Sequence, residues 1–177
     1  MLALFNLLNA GTTMLLEVAA VVLVVAALLR ASWLSWVRRN AQPILFILLL
    51  ASTAGSLIYE YAFHFPPCDM CWYQRIFIYS SMILLARALM LKKNVLGEVL
   101  TLLFFGLAFS LYHNVMDIFG LSSLSFCEGG PSGSLCLVRY VYEFGYITIP
   151  IMSLTVLVLS IIVVFIARNP QGGFGKH

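Results

Sequence analysis

The sequence predicts an all-α membrane protein with five spans, and three observations predict it. Of its 177 residues, 62% are hydrophobic and only 10% are charged. Water-soluble domains carry roughly a quarter charged residues, so this chain cannot cover a solvated surface. The mean hydropathy of +1.01 agrees. Five apolar runs approach the roughly 20 residues that a spanning helix needs. Lipid offers no hydrogen bonds to bare backbone, so such runs are helices unless they close a barrel. A barrel would show short alternating segments, and these runs do not alternate.

The first run extends from about Met14 to Val37, interrupted by Glu17 and Arg30. The second extends from about Ala41 to Phe63 and is uncharged until Glu60. The third, from about Trp72 to Leu91, carries Arg75 near its start and Arg87 near its end. Long basic side chains snorkel to the interface, which accounts for Arg87. The fourth extends from about Val95 to Met116, and the fifth from Phe144 to Ala167 without a charge.

Basic residues favour the cytoplasmic ends of spans. Arg38 and Arg39 follow the first run, Lys92 and Lys93 separate the third from the fourth, and Arg168 and Lys176 follow the fifth. One threading satisfies all three groups, with the N-terminus outside and the C-terminus inside. Glu60, Asp69, Asp117, Glu128 and Glu143 then fall on the outer side. A cleaved signal peptide begins with a positive region, and no Lys or Arg precedes Arg30. The first run is therefore expected to be a retained helix. The flanking basic residues account for the net charge of +3. No basic run points to nucleic acid, and no nucleotide-binding fingerprint is present. Tyr59, Tyr61, Trp72 and Tyr73 sit where an aromatic belt belongs.

All four cysteines, Cys68, Cys71, Cys127 and Cys136, fall in the two outer loops of this threading. Outer compartments are oxidising and let disulfides persist. Cys68-Asp69-Met70-Cys71 has the spacing of a redox dithiol. It stands where Pro66-Pro67 ends a loop and the third helix begins, and helix-start N–H groups favour a thiolate. Half a zinc site or an inert disulfide would use the same spacing; zinc would need four ligands. Cys127 and Cys136 bracket Glu128-Gly-Gly-Pro-Ser-Gly-Ser-Leu135, a loop rich in turn formers. A bridge there closes a small ring and stabilises little. Exposed bridges of that kind are the labile, catalytic ones. A loop staple is the plainer alternative.

Arg75 lies four residues after Cys71, on the same helix face. Its guanidinium is placed to lower a thiol pKa or to hold a polar ligand group; snorkelling is the alternative. His113, beside Tyr112 and Asn114, lies near the outer end of the fourth run, where an ionisable group is either a ligand contact or a packing residue. Glu17 lies near the outer end of the first run, where interfacial solvation accounts for it.

The run Pro66-Pro-Cys-Asp-Met-Cys-Trp-Tyr-Gln-Arg75 resembles the disulfide bond formation protein B (DsbB) family, most closely its BdbC-like branch. The resemblance continues through Tyr112-His113, the second cysteine pair and Glu143-Phe-Gly-Tyr-Ile-Thr-Ile-Pro150, covering about residues 41 to 168. It implies a four-helix transmembrane bundle over 41–168, with residues 1–40 as an extra N-terminal transmembrane helix and 169–177 as a cytoplasmic tail. It also implies the bacterial cytoplasmic membrane, with the redox cysteines on the outer face. Cys127–Cys136 would be the disulfide presented to a thioredoxin-like, DsbA-type partner. Electrons would then pass to Cys68–Cys71, where a thiolate, Cys71 by resemblance, reduces a membrane quinone, ubiquinone or menaquinone. Arg75 would stabilise the developing negative charge, with His113 as a second contact. Such a partner is strongly oxidising, so a glutathione-like pool regenerates it poorly and a quinone is a suitable sink.

Two rival readings make different demands. A vitamin K epoxide reductase-like protein would also place a CxxC and loop cysteines beside a quinone, but there the loop pair precedes the CxxC. A non-enzymatic membrane protein with stapled loops would change no thiol's redox state.

Overall fold

A computed structural model of the chain describes residues 1–119 and 139–168. Cys127 and Cys136 and the tail 169–177 lie outside the described residues. Six helices follow in order: α1 (Leu2–Leu28), α2 (Leu34–Arg39), α3 (Ala41–Tyr61), α4 (Asp69–Leu91), α5 (Leu96–Phe119) and α6 (Ile149–Arg168). All but α2 are long and apolar enough to cross a membrane, which makes five spans. Among the described residues there is no strand, only an isolated bridge between Glu143 and Ile147. The chain is thus an all-α, multi-pass membrane protein, as its composition predicts.

The helix ends follow from local chemistry. Arg30 adopts φ 53°, and Ala31 N–H donates to Ala26 O at 2.9 Å, a left-handed cap that stops α1. The chain turns and re-enters as α2. The first span therefore occupies Leu2–Leu28, not Met14–Val37. Its N-terminal half carries Asn6, Asn9, Thr12 and Thr13, which interrupt the apolar run; Asn6 and Thr13 are buried. Lys92 ends α4 in the same way, at φ 52° with Lys93 N–H donating to Ala88 O. The Asn94 side chain caps Leu96 N–H at the start of α5. Pro150 stands in the first turn of α6, where its missing N–H costs nothing.

Helices α3, α4, α5 and α6 pack together, and α1 lies along α6. Leu45, Leu49, Leu85, Leu103, Leu157 and Val164 form the centre of the core. Lipid tails are as apolar as these side chains, so packing rather than water exclusion holds spans together. Gly106 shows how tight that packing is. A Cβ there would stand 3.1 Å from Leu157 Cδ2 and 3.2 Å from Phe77 Cβ, so its absence lets α4, α5 and α6 converge.

The two ends of the bundle differ in charge and chemistry. At one end Arg38 Nε donates to Ile166 O, Gln42 donates to Lys93 O, and Arg168 lies against Gly97. At the other end stand Cys68, Cys71, Glu60 and Asp117, with Arg139 bonding Asp117 at 2.8 Å. Glu17 is not simply solvated. Its carboxylate accepts from Tyr146 Oη at 2.7 Å and Thr155 Oγ1 at 3.2 Å, tying α1 to α6.

Replacing Gly106 with Val should overpack this junction at about 1–3 kcal/mol. Thermal unfolding in mild detergent should show a lower midpoint for Gly106→Val than for the parent. An unchanged midpoint would mean that the three helices separate without cost.

Candidate active site

Pro66 and Pro67 hold the chain extended into Cys68, whose φ of −73° and ψ of 166° place it at the N-cap of α4. Its sulfur accepts the Cys71 N–H at 3.3 Å, one of the helix-start amides that have no intrahelical partner. The same turn brings the two sulfurs to 2.6 Å, inside non-bonded contact, so the dithiol is set for joining. Cys68 is buried and Cys71 half-buried.

His113 projects from α5 onto this pair. Its Nε2 lies 3.8 Å from Cys68 Sγ. Gln74, one turn below Cys71, donates its amide to His113 Nδ1 at 3.0 Å. That bond makes Nδ1 the acceptor, so the ring hydrogen sits on Nε2 and points at the sulfur. The Gln74 carbonyl oxygen accepts from Ser153 of α6, and Ser153 lies 3.4 Å from Ser110 of α5. Three helices thus orient one imidazole.

Cys68 stands just outside the spanning helix, and its thiol pKa is lowered to about 5. The hydrogen bond from Cys71 is the largest cause; burial opposes it, and His113 and the Cys71 N–H add to it. The contacts that stabilise a thiolate therefore converge on Cys68, whereas the family resemblance points to Cys71. A low thiol pKa also stabilises the reduced pair and makes its disulfide the better oxidant.

Arg75 is almost fully buried and is paired. Its Nη1 binds Glu60, its Nη2 donates to Ser56 O at 3.1 Å, and its Cζ lies 5.4 Å from the centre of the Trp72 ring. Both partners are on α3, so the guanidinium joins α3 to α4 rather than snorkelling. Sequence reasoning placed Arg75, His113 and the CxxC but assigned no role to Glu60, Gln74 or Ser153. The available signal was polarity within apolar spans, which default to a function or a partner.

A cavity of about 760 Å³ opens beside the dithiol, within the range of ligand sites. Its lining includes the polar or reactive Cys68, Cys71, Gln74, Arg75, His113 and Asp117. It also includes the apolar Ile44, Leu48, Ile78, Met152 and Val156 of the spanning helices. Tyr59, Tyr79 and Thr148 also border it; their hydroxyls are packed away from open space, with no hydrogen-bond partner among the described residues. The Cys68, Cys71 and His113 donor atoms lie within 4.8 Å of one another, which also suits a soft metal ion. A structural zinc takes four ligands, and the described residues bring three.

Comparison with known proteins identifies the family. The family model for disulfide bond formation protein DsbB matches residues 38–136. The SPbeta prophage-derived disulfide bond formation protein B of Bacillus subtilis is 38% identical over 62% of this chain and 73% of its own length. A probable disulfide formation protein of Oceanobacillus iheyensis is 31% identical over 75% of this chain and 92% of its own. A probable disulfide formation protein C 2 of Bacillus cereus is 28% identical over 78% and 98%. No solved structure matches. With a CxxC at a helix start, a polar relay behind it and five spans around it, the chain belongs to the DsbB family of disulfide-forming membrane proteins.

Proposed function

We propose that the protein reoxidises a thioredoxin-like, DsbA-type partner and passes the electron pair to a membrane quinone. The observation that carries this reading is the Cys68–Cys71 pair opening onto an apolar, membrane-depth cavity. A partner that only exchanged thiols in water would need no such cavity.

Residues 41–168 act as the redox bundle in this reading, with 1–40 added before it and 169–177 as a tail. The cysteine end faces the outer compartment and the basic end the cytoplasm. A thiolate of the partner attacks one sulfur of Cys127–Cys136, and the partner's second thiol resolves the mixed disulfide. The partner leaves oxidised, and Cys127 and Cys136 hold two electrons and two protons. One of these thiols attacks Cys68–Cys71, and internal exchange passes the pair on. The attack falls on Cys71, and Cys68 departs as the thiolate, because the Cys71 backbone N–H and His113 Nε2–H face it. Gln74 keeps the His113 hydrogen directed at that sulfur throughout.

The cavity fits a quinone. Its walls are mainly apolar, and Gln74, Arg75 and His113 bring polar groups to it. Arg75 places positive charge there, balanced at rest by Glu60. A bound quinone would supply the two-electron, two-proton sink that returns Cys68–Cys71 to the disulfide.

Anaerobic stopped-flow absorbance tests the reading. The purified protein is mixed with a reduced DsbA-type partner and a soluble ubiquinone or menaquinone analogue. Quinone loss should require all four cysteines. Cys68→Ser and Cys71→Ser should abolish it while still allowing attack by the partner. Cys127→Ser and Cys136→Ser should block partner oxidation first. No quinone loss from folded protein with its cysteines intact would overturn the proposal.

Arg75→Ala should raise the quinone KM about tenfold, the loss of one hydrogen bond to a charged group, and spare exchange with the partner. Impaired exchange with unchanged quinone kinetics would remove Arg75 from this role.

Cys68 alkylation by iodoacetamide, followed peptide by peptide in the reduced protein, tests the thiolate. A lowered pKa means the anion is present above about pH 5. Labelling should rise through about pH 5 and then level off, and His113→Ala should move the rise to higher pH. A rise centred near the ordinary thiol value of about 8.5 would show an unperturbed sulfur.

A further inference from the structure

Helix α1 lies outside the stretch matched by the family model, which begins at residue 38, yet it lines the cavity through Asn9, Thr12, Thr13, Leu15 and Leu16. Most of α1 is lipid-facing: Leu4, Leu8, Val18 and Val22 are exposed. One stripe is different. Asn6, Asn9, Thr13 and Glu17 recur at helical spacing on a span that otherwise carries few polar groups. Glu17 fastens the stripe to α6 through Tyr146 and Thr155. Above it, Phe5 meets Tyr59 edge-on at 5.0 Å and Phe63 at 5.3 Å, so α1 also touches the outer end of α3.

Between these two fixings the wall is open on one side. Leu15 of α1 and Ile47 of α3 both line the cavity, yet they are 70% and 64% exposed. A residue that faces both the cavity and the bilayer marks an opening between them. Nearby, the Asn9 amide nitrogen donates to Phe5 O at 2.9 Å, and the Thr13 hydroxyl donates to Asn9 O at 2.8 Å. The single Thr13 hydrogen is used within the helix, and so is one of the two on the Asn9 amide. Asn9 keeps its second amide hydrogen and its Oδ1, Thr13 keeps oxygen lone pairs, and Asn9 Oδ1 stands 3.5 Å from where a Cβ on Gly55 would be. Tyr59 and Thr148 also border the cavity, each with its hydroxyl buried.

We propose that α1 and α3 form a lateral doorway through which the quinone enters from the bilayer, and that Asn9 and Thr13 of α1 are contact residues for it inside. The inference rests on the quinone reading above and adds a fifth helix to that site. The remaining amide hydrogen of Asn9 suits a quinone carbonyl, and the oxygens of Asn9 and Thr13 suit the hydroxyls of the reduced form. Removing Asn9 and Thr13 should therefore alter binding without touching the thiol chemistry some way across the cavity.

Photolabelling of the unaltered protein in nanodiscs tests the doorway directly. A short-chain azidoquinone is irradiated with the protein and the adducts are mapped by peptide mass spectrometry. Adducts should fall on residues 9–16 as well as on α3 and α4, and excess unlabelled quinone should suppress them. Adducts confined to α3–α6, or α1 adducts that resist competition, would overturn the inference and leave the quinone reading standing. Failure to find any adduct suppressed by competition would overturn both.

Kinetics supply the second measurement. Asn9→Leu combined with Thr13→Val should raise the quinone KM about tenfold, leaving kcat and partner exchange unchanged. Val22→Trp, on the lipid face of the same helix, should change neither. An unaltered KM in the double variant would exclude Asn9 and Thr13 as contacts.

Discussion

A polar group that finds no partner inside a bilayer costs several kcal/mol, and lipid supplies none. This constraint accounts for most of what distinguishes the chain from a bundle of apolar helices. Glu60 meets Arg75, Glu17 meets Tyr146 and Thr155, and Gln74 bridges Ser153 to His113. Each contact joins two elements, so the same bonds that satisfy polar atoms also specify which helices are neighbours. The apolar residues between them pack closely but do not discriminate among partners, since lipid would serve as well.

The satisfaction is not complete. Tyr59, Tyr79 and Thr148, which border the cavity, keep buried hydroxyls without partners among the described residues, and so do Thr53 and Ser81, which lie away from it. The dithiol borders this space where α4 begins. Pro66 and Pro67 end the preceding segment, and the first turn of α4 offers an amide to Cys68. Helix initiation, thiolate stabilisation and access to the cavity are consequences of one turn of chain.

Spans two to five were legible because their cause is local. A run of apolar residues must be a helix in lipid whatever surrounds it. Their ends shifted by only a few residues, as at Asp69 against Trp72 and Ile149 against Phe144. The first span shifted much further. Asn6, Asn9, Thr12 and Thr13 look unfit for a membrane until their face is seen turned toward α3, α6 and the cavity. Glu17 likewise looks interfacial in one dimension and proves to be a tie between α1 and α6. Arg75 was visible as an unusual charge, but its partner Glu60 lies fifteen residues earlier on another helix. No periodicity connects the two.

The sequence by itself determined that the chain lives in lipid, that five of its runs are long and apolar enough to cross it, that a dithiol begins its third long helix, and which family it resembles. These depend on composition and on spacings within one turn, where neighbours in sequence are neighbours in space. Only the tertiary structure decided which sulfur receives the stabilising contacts, which side chain holds the imidazole, and that α1 borders the cavity. Those outcomes depend on pairs such as Cys68 with His113, Gln74 with Ser153, and Glu17 with Tyr146. Their separation along the chain carries no local signal, and only the packing of helices brings them within bonding distance.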